Sequence, residues 1–260
     1  MDFTITKYTM LLKSFCNRGY SFQTFAEYLN NPLEKVIILR HDVDKIPKNS
    51  LRFGKIQYDM SIKTSYYFRI GPISFDKNII LKLSEMGHEI GYHYETLDFC
   101  RGNIEHAYIE FCDNLEKFRQ IVPIETICMH GSPLSLFDNR DIWKHFDYRN
   151  NAIIGEPYFD IDFNKVFYIT DTGRRFDGDK VSIRDKASGF NTTKWPVYHS
   201  TRDIIRALNE GSFPDIVMMT FHPQRWTNNL FFWLKELIFQ SLKNFVKSFI
   251  VRRNENNLKI

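Results

Sequence analysis

The sequence predicts an α/β fold in which parallel strands alternate with helices and form a barrel. Short apolar runs of the length of buried strands alternate with amphipathic segments along most of the chain. No Gly-x-Gly-x-x-Gly turn follows a strand, which disfavours a sheet that binds dinucleotides. Polar residues collect where the strands end, and barrel enzymes keep their catalytic groups at that edge. Together these observations indicate an enzyme built on a parallel barrel.

Seven strands and the helices between them can be placed from the pattern. Residues 8–29 predict two helices separated by Gly19. The first strand starts at Val36, and the others are 64–70, 88–94, 126–130, 152–154, 166–170 and 216–222. Further helices are predicted at 48–60, 77–86, 104–119 and 201–209. Because no low-complexity linker or internal repeat interrupts this order, residues 1–260 are predicted to form one domain, with the N-terminal helices in 1–34.

Composition disfavours several classes of protein. The chain has 260 residues, of which 43% are hydrophobic, enough for a sizeable core. The net charge is only +4, from 35 basic and 31 acidic residues without a Lys/Arg-rich block, so nucleic acid is not an expected partner. The four cysteines stand apart without a Cys-x-x-Cys pair, and the N-terminus lacks a basic-then-apolar leader. We therefore expect reduced thiols in a cytoplasmic protein.

Asp42 and Asp44 close the first predicted strand, after the apolar run 36–39. Side chains alternate between the two faces of a strand, so both carboxylates point the same way and His41 points into packing on the other face. Like charges held this close repel each other unless a cation or a proton intervenes. The pair is therefore typical of a metal ligand beside a general base.

The other strand ends carry more side chains of catalytic or metal-binding type. His93 and Glu95 end the third predicted strand, His130 the fourth, Asp171 the sixth and His222 the last. Taken singly, each would more often be a hydrogen-bonded structural group. Because the carboxyl ends of parallel strands meet at one face of a barrel, their joint occurrence predicts one site.

Three strings of residues resemble, in order and spacing, motifs of the polysaccharide deacetylases, whose fold is also called the NodB homology domain. The strings are Arg-His-Asp-Val-Asp at 40–44, Gly-His-Glu-Ile-Gly-Tyr-His at 87–93 and Met-Thr-Phe-His-Pro at 219–223. The resemblance covers residues 36–225. It implies a distorted (β/α)7 barrel of the TIM-like type and metal-dependent hydrolysis of an N-acetyl or related amide, occasionally an ester, on a sugar.

Two further strings, residues 127–133 and 168–175, are similar to those of a subgroup of deacetylase-like proteins. Members of this subgroup are found with O-antigen and other surface-polysaccharide genes. The resemblance implies a substrate that is a precursor of such a glycan. A lipid-linked or nucleotide-bound sugar is the expected partner.

The resemblance also implies roles for individual residues. Asp42 would be the general base, and His222 the general acid that protonates the leaving amine. Asp44 and His93 would bind a divalent metal ion. Such an ion with three protein ligands leaves a position for water and lowers its pKa towards 7. Asp171 either orients His222 or caps the turn that follows it.

The chain departs from the family pattern at the third metal ligand. The family carries a histidine four residues after His93, and this sequence has Leu97, which cannot bind a metal. Glu95, on the same strand face as His93, and His130, from the next strand end, are the two replacements, of which we favour Glu95. Zn²⁺ is the expected ion, with Mn²⁺ or Mg²⁺ as alternatives if oxygen ligands predominate. The competing interpretation is a decayed ligand set that binds sugar without cleaving it.

The family's third motif, an Arg followed by Pro and Tyr, is absent, and residues 129–133 occupy its place. Gly131 and Ser132 in that string are predicted to contact the substrate, since Gly131 lets a backbone N–H approach it closely. Arg174 or Arg175 would hold the general base or bind an anionic sugar or phosphate. The alternative for both arginines is a solvated surface charge pair.

Aromatic residues make up 16% of the chain, and aromatic side chains both build cores and line carbohydrate sites. Trp195 and Trp226 are predicted to stack on a sugar face. The alternative for both is ordinary packing in the core or at its rim.

Residues 229–253 predict a basic amphipathic helix with a wide apolar stripe. It either docks on the barrel or a second subunit, or lies on the inner membrane surface, where basic side chains meet anionic lipids. We favour docking, although peripheral membrane contact would suit an enzyme whose glycan is built on a lipid carrier. The sequence leaves the oligomeric state open.

Overall fold

Within the part of the chain that the structure describes, seven parallel strands form a sheet at the centre of the fold. The structure is a computed structural model that describes residues 1–131, 135–177 and 194–257, with side chains to residue 245. The strands are β1 (Ser21–Gln23), β2 (Val36–Val43), β3 (Ser65–Phe68), β4 (Glu89–Tyr94), β5 (Ile127–Met129), β6 (Phe167–Thr170) and β7 (Ile216–Phe221). Their hydrogen-bonded order is β5-β4-β3-β2-β7-β6, and β1 pairs with the beginning of β2.

The central strand is β2, and all eight of its residues are buried. Its apolar beginning is what a strand covered on both faces requires. β7 pairs with one edge of β2 along residues 36–41, while β1 and β3 share the other edge. Asp42 therefore lies beside β3, opposite Tyr67, close to the carboxyl edge of the sheet.

The sheet is curled, because side chains from distant strands meet at one edge. Neighbouring strands are about 4.8 Å apart, so β2 and β5 would be about 14 Å apart in a flat sheet. His130 follows β5, yet its Nε2 lies 3.6 Å from Oδ1 of Asp44, which follows β2. β5 and β6 end the order, and the described residues show no pairing between them. The α/β fold with a parallel, curled sheet is thus confirmed, while closure into a (β/α)7 barrel stays a prediction.

The described residues form nine α-helices, several of which begin at side-chain caps. They are α1 (Ile5–Asn17), α2 (Phe25–Asn30), α3 (Pro47–Asp59), α4 (Lys77–Glu85), α5 (Thr96–Phe99), α6 (Ile104–Arg119), α7 (Pro157–Asp160), α8 (Thr201–Glu210) and α9 (Leu230–Asn257). Asp76, Asn103 and Ser200 accept hydrogen bonds from the first backbone N–H groups of α4, α6 and α8. These N–H groups have no partner inside a helix, so the caps fix where each helix starts. Short 3₁₀ turns lie at Asn139–Lys144, Tyr148–Asn151, Thr172–Arg174 and Pro223–Arg225.

The second predicted helix begins later than expected, because a strand precedes it. Phe22, predicted to be helical, lies in β1. Oγ1 of Thr24 then accepts a hydrogen bond from the backbone N of Glu27, and the carboxylate of Glu27 accepts one from the backbone N of Thr24. This reciprocal Thr-x-x-Glu capping box sets the start of α2 at Phe25.

The predicted strand at 152–154 is wrong. The segment is irregular, and next to it Gly155 makes a single parallel bridge with Thr126. Ile153 is nevertheless buried in the core. The segment thus runs beside β5 without forming a strand of its own, and the burial of Ile153 accounts for its apolar character.

His41 points away from Asp42, as predicted, into the aromatic core. Its Nε2 lies 3.0 Å from the hydroxyl oxygen of Tyr8 and 2.9 Å from Nε2 of Gln57. Its ring stacks on Tyr66 with the centroids 4.4 Å apart. Burial lowers the pKa of His41 to about 3, so the imidazole is neutral and serves packing.

The last helix, α9, turns polar groups towards the rest of the protein. Nε1 of Trp233 donates to the backbone O of Asp2 at 2.7 Å, and Nδ2 of Asn244 donates to the backbone O of Gly173 at 2.8 Å. Large apolar side chains of α9 stay exposed, namely Leu230, Phe231, Phe232, Leu234, Leu237, Ile238, Phe239, Leu242 and Phe245. These polar contacts hold α9 against the rest of the chain, while docking of its apolar stripe and contact with a membrane surface stay predictions. Among the described residues, no helix combines the length and apolarity needed to cross a membrane.

Candidate active site

Residues from four strands converge at the carboxyl edge of the sheet. Asp42 and His93 lie in β2 and β4, and Asp44, His130 and His222 directly follow β2, β5 and β7. Nε2 of His93 and Nε2 of His130 lie 3.7 and 3.6 Å from Oδ1 of Asp44. Nε2 of His222 lies 3.9 Å from its Oδ2. The structure thus brings together five of the residues that the sequence singles out.

Asp44, His93 and His130 form a group that can hold a metal ion. One ligand atom from each lies within 4.8 Å of the others. Oδ1 of Asp44 is buried and has no hydrogen-bond partner among the described residues, although buried polar atoms usually have one. One carboxylate oxygen and two imidazole nitrogens suit a divalent ion such as Zn²⁺, with a position left for water. These side chains therefore fit the metal that the resemblance implies.

A second group of possible ligands is Asp42, His93 and Cys128. Both oxygens of Asp42 already accept hydrogen bonds from Arg40. Asp44, in contrast, keeps one buried oxygen without a partner in the described part of the chain. The group that contains Asp44 therefore fits a metal ion better.

Groups behind the two histidines direct them towards the centre of the site. Nδ1 of His93 lies 2.9 Å from the backbone O of Cys128. Nδ1 of His130 lies 2.8 Å from Oε2 of Glu95. A partner at Nδ1 fixes the orientation of an imidazole and leaves Nε2 for the ligand. Both rings accordingly present Nε2 to Asp44.

Glu95 supports the metal group from behind and is not part of it, which corrects our preference for Glu95 as the third ligand. Arg69 grips its carboxylate, with Nε donating to Oε1 and Nη2 to Oε2, both at 2.8 Å. Burial raises the pKa of Glu95, but the opposite effect of His130 and Arg69 is larger. The pKa of Glu95 therefore lies below its usual value. Glu95 was expected on the same face as His93 because side chains alternate along a strand. This rule does not apply to Glu95, because β4 ends at Tyr94 and the backbone turns into α5.

Arg40 holds Asp42, the predicted general base. Nε of Arg40 donates to Oδ1 at 3.0 Å, and Nη2 donates to Oδ2 at 2.8 Å. Burial raises the pKa of Asp42, but the charge of Arg40 and the neighbouring imidazoles lower it to below its usual value. The carboxylate is therefore ionised at neutral pH. This contact corrects the prediction that Arg174 or Arg175 holds the base.

Asp171 holds His222, the predicted general acid. Oδ1 of Asp171 lies 2.6 Å from Nδ1 of His222, and Oδ2 accepts a hydrogen bond from the backbone N of His222 at 3.0 Å. Arg225 and Trp226 also donate to this carboxylate, at 3.0 and 2.6 Å. Burial raises the pKa of Asp171, yet His222 and Arg225 lower it overall. The side chain of Asp171 does not cap the following turn. Of its two predicted roles, the structure therefore shows the contact with His222.

Both tryptophans that were predicted to stack on sugar pack on aromatic side chains of the protein itself, which corrects that prediction. Trp226 is 1% exposed and packs on Phe221, while its ring nitrogen binds Asp171. Trp195 packs on Phe167, the first residue of β6, at the end of the strand opposite to the site. Core and rim packing, the alternative for both, is what the structure shows.

Both arginines that were predicted to bind an anion have other partners. The guanidinium of Arg174 lies 5.2 and 4.6 Å from the ring centroids of Phe3 and Trp233 and donates to the backbone O of Trp233. Arg174 therefore helps to dock α9. Arg175 donates to both carboxylate oxygens of Asp177 at 2.7 Å, which is the surface charge pair of the alternative interpretation.

The string after β5 is described only in part. Gly131 is half-buried and directly follows His130. Its predicted contact with substrate stays a prediction. Ser132, the other substrate contact predicted in this string, lies outside the described residues.

Four residues at the site were missed by the sequence reasoning: Arg40, Arg69, Gln224 and Arg225. Arg40 had a signal, because it stands two residues before Asp42 on the same face of a strand. Gln224 and Arg225 follow the last strand in a 3₁₀ turn, where Nε2 of Gln224 donates to Asp44 at 3.0 Å. Arg69 had only the signal of a strand end, since it directly follows β3, and the pairing of β3 with β4 brings it near Glu95.

No family model matches the chain, and no match was found among curated proteins. Among solved structures, the chain is similar to a family 4 carbohydrate esterase from Bacillus anthracis, with 14% identity over 84% of this chain and 93% of that one and a TM-score of 0.42. It is also similar to the Xyl-CE4 domain of a multidomain xylanase from the hindgut metagenome of Trinervitermes trinervoides, with 12% identity over 86% and 85% of the two chains and a TM-score of 0.43. Likenesses this remote assign no activity, which has to be inferred from the side chains.

Proposed function

We propose that this chain is a metal-dependent hydrolase that removes an N-acetyl or related acyl group from a sugar. The observation that carries the proposal is that a base and an acid flank the group Asp44, His93 and His130. Oδ2 of Asp42 lies 3.9 Å from Nε2 of His93, and Nε2 of His222 lies 3.9 Å from Oδ2 of Asp44. A base, an acid and a Lewis-acid site between them are the groups that acyl hydrolysis requires.

Asp44, His93 and His130 would hold the metal ion. A divalent ion there would polarise the acyl oxygen and lower the pKa of a nearby water molecule. Two nitrogen donors and one oxygen donor favour Zn²⁺ over Mn²⁺ or Mg²⁺, which prefer oxygen. A harder ion was an alternative because Glu95 could add an oxygen ligand. Glu95 is bound to Arg69 instead, so this argument for Mn²⁺ or Mg²⁺ is weakened.

Asp42 accepts the proton of the attacking water in the proposed reaction. Arg40 binds both of its carboxylate oxygens, so the carboxylate keeps one orientation in the strand. Its lowered pKa keeps it ionised at neutral pH, which is the form that accepts a proton.

His222 donates a proton to the leaving nitrogen, or to the leaving oxygen of an ester. The carboxylate of Asp171 at Nδ1 orients the imidazole, while Nε2 faces the site. Arg225 and Trp226 hold that carboxylate in turn. Asp42 thus accepts one proton and His222 donates the other. A charged partner positions each of them, Arg40 for Asp42 and Asp171 for His222.

A sugar is proposed as the carrier of the acyl group because residues 40–44, 87–93 and 219–223 resemble polysaccharide deacetylase motifs. The similarity of residues 127–133 and 168–175 to proteins found with O-antigen genes supports a precursor of a surface glycan. Such a precursor would be lipid-linked or nucleotide-bound and would be modified in the cytoplasm.

Acetate release from N-acetylated sugars, offered free, nucleotide-bound and as oligomers, tests the proposal. We expect release that is lost on chelation and restored by divalent ions. Asp42→Asn should lower kcat by roughly 10²- to 10⁴-fold with the metal content unchanged. Asp44→Ala should lose metal and activity together.

Asp177→Asn is the control, because it removes a carboxylate from the surface pair with Arg175 and leaves the site intact. Retained acetate release by Asp42→Asn would rule out the assigned base. A protein that binds sugars but neither binds metal nor releases an acyl group would favour a non-catalytic carbohydrate-binding protein instead.

A further inference from the structure

Two lysines converge on one aromatic ring beside the metal-binding group. Lys45 directly follows Asp44, so their Cα atoms are about 3.8 Å apart. Nζ of Lys45 lies 5.5 Å from the ring centroid of Phe239, and Nζ of Lys243 lies 4.4 Å from it. Each distance is in the range of a cation–π contact. The two ammonium groups therefore share one ring at the edge of the candidate active site.

The helix α9 brings Lys243 to this place. Nζ of Lys45 lies 3.8 Å from Oε2 of Glu236, which joins the segment after β2 to α9. Phe239 and Lys243 stand four residues apart and so lie on the same face of the helix. The docking contact of Asn244 with Gly173 holds the next residue of the helix in place. The fold thus places Lys243, an exposed residue of α9, beside Lys45.

The two ammonium groups have one direct ion-pair partner between them among the described side chains. Glu236 is within ion-pair distance of Lys45, whereas the described residues offer no such partner to Lys243. Partial burial lowers the pKa of Lys243, and so do the charges of Lys45 and Arg225, against the opposite effect of Glu236 and Asp44. Like charges held together in this way favour an anion that neutralises them.

We propose that Lys45 and Lys243 form a subsite for a phosphate group on the substrate. The subsite rests on the proposed function and specifies its substrate class, an acylated sugar joined to a phosphate or pyrophosphate. In a lipid-linked or nucleotide-bound sugar, each bridging phosphate carries about one negative charge and two terminal acceptor oxygens, which match the N–H donors of the two ammonium groups. Because Lys45 adjoins Asp44, the phosphate would sit one sugar away from the reacting acyl group.

Two sources can supply such a group, a nucleotide diphosphate and a polyprenyl lipid carrier. The phosphate chemistry at the lysines is the same for both. The exposed apolar side chains of α9, among them Ile238 and Leu242, adjoin the subsite and would contact a lipid chain but not a nucleotide. The experiment therefore uses one probe for each source.

Calorimetric titration of the full-length chain with UDP, and with uridine as its uncharged counterpart, tests the nucleotide source. Co-sedimentation with phosphatidylcholine vesicles, with and without a polyprenyl phosphate, tests the lipid source. We expect at least one phosphate probe to bind and its uncharged counterpart not to bind. Lys45→Gln and Lys243→Gln should each weaken that binding, and the double variant should weaken it at least tenfold.

Lys235→Gln is the matched control, because Lys235 is an exposed lysine of the same helix. Its affinity for the bound probe should stay within twofold of that of the unmodified chain. Binding of neither probe, or equal binding by the double variant, would overturn the subsite. Loss of binding in His93→Ala with both lysines present would assign the phosphate to the metal-binding group and would overturn it as well.

These measurements need no turnover, so they separate the subsite from the proposed reaction. Lysine-dependent phosphate binding without acyl release from any sugar would support the subsite and refute the hydrolase. Acyl release without lysine-dependent binding would refute the subsite and support the hydrolase.

Discussion

Arg40 and Asp42 form an ion pair that is almost fully withdrawn from water, with 1% and 4% of their surfaces exposed. Taking two charges out of water costs several kcal/mol, which their mutual attraction and two hydrogen bonds offset. Removal of one partner leaves an uncompensated buried charge, and this costs more than replacement of both. The residue that orients the proposed base is therefore also a determinant of stability.

Arg40→Met should lower the free energy of unfolding by roughly 3–5 kcal/mol, because Asp42 then stays buried without a partner. The double variant Arg40→Met with Asp42→Asn should regain part of that loss. Urea unfolding at pH 7 measures both values. A double variant no more stable than Arg40→Met would show that the loss does not come from the unpaired charge.

Asp171→Asn should lower kcat by roughly 10²- to 10⁴-fold, because an amide does not hold Nδ1 of His222 in the tautomer and orientation that the carboxylate sets. Metal content should stay unchanged, since neither residue is in the metal-binding group. The loss in the double variant Asp171→Asn with His222→Ala should not exceed that of His222→Ala alone, because the two residues act as a unit. Additive losses measured by steady-state kinetics would contradict this pairing.

The connection from β5 to α7 depends on one buried carboxyl group. Oε1 of Glu156 accepts a hydrogen bond from the backbone N of Met129 in β5 at 2.9 Å, and Oε2 accepts one from the backbone N of Tyr158 in α7 at 2.6 Å. Burial raises the pKa of Glu156 to about 7, against the opposing effect of these hydrogen bonds. The folded protein therefore holds a proton on Glu156 that the unfolded chain releases at lower pH.

The free energy of unfolding should fall as pH rises from about 4.5 to about 7, because the folded state binds this proton more tightly than the unfolded state. A shift of this size corresponds to on the order of 3 kcal/mol as an upper bound. Urea unfolding at pH 5 and pH 8 should show the loss in the unmodified chain and a smaller one in Glu156→Gln. An equal pH dependence in both proteins would rule out Glu156 as its source.

The metal-binding group joins the ends of three strands that are not all neighbours in the sheet. Asp44 follows β2, His93 lies in β4 and His130 follows β5, so an ion that binds all three would connect half of the sheet. An ion that binds only the folded state stabilises it by mass action. Stability and metal binding should therefore be coupled across the molecule.

Zn²⁺ at 100 times its Kd should raise the free energy of unfolding by about 2.7 kcal/mol, which shifts Tm by about 5–10 °C. Asp44→Ala should abolish the shift. Glu95→Gln should weaken metal affinity by roughly 10- to 100-fold without abolishing it, because Glu95 only supports His130. Thermal melts across a zinc titration measure all three, and complete loss in Glu95→Gln with full retention in His130→Ala would restore Glu95 as the ligand.

Much of the fold and part of the site could be predicted from local patterns. Apolar runs and their polar ends located six of the seven strands, because burial on both faces requires such runs. β1 was missed because three residues are too few to show a period, and the segment 152–154 was misplaced because core packing and strand pairing both demand apolar side chains. The period of two also predicted that Asp42 and His41 point to opposite faces.

The third ligand shows what local patterns cannot supply. The choice between Glu95 and His130 depends on how far the sheet curls and where β4 ends, and neither is a property of a short segment. The same holds for Trp226, which is chemically suited to a sugar but is enclosed by the core beside Asp171. The spacing of residues along the chain cannot decide between such alternatives, because it carries no information on the distances between strands.

The sequence by itself determined most of the strand-helix order and the Asp-x-Asp at the end of β2, while the roles of acid, base and first two ligands are what its motif resemblance implies. It could do so because periodicity and strand ends are local features that residue type dictates. The tertiary structure alone decided that Arg40 holds Asp42, that His130 joins Asp44 and His93, and that α9 brings Lys243 beside Lys45. These are contacts between or beside strands of a curled sheet, and only the complete packing of the chain sets their distances.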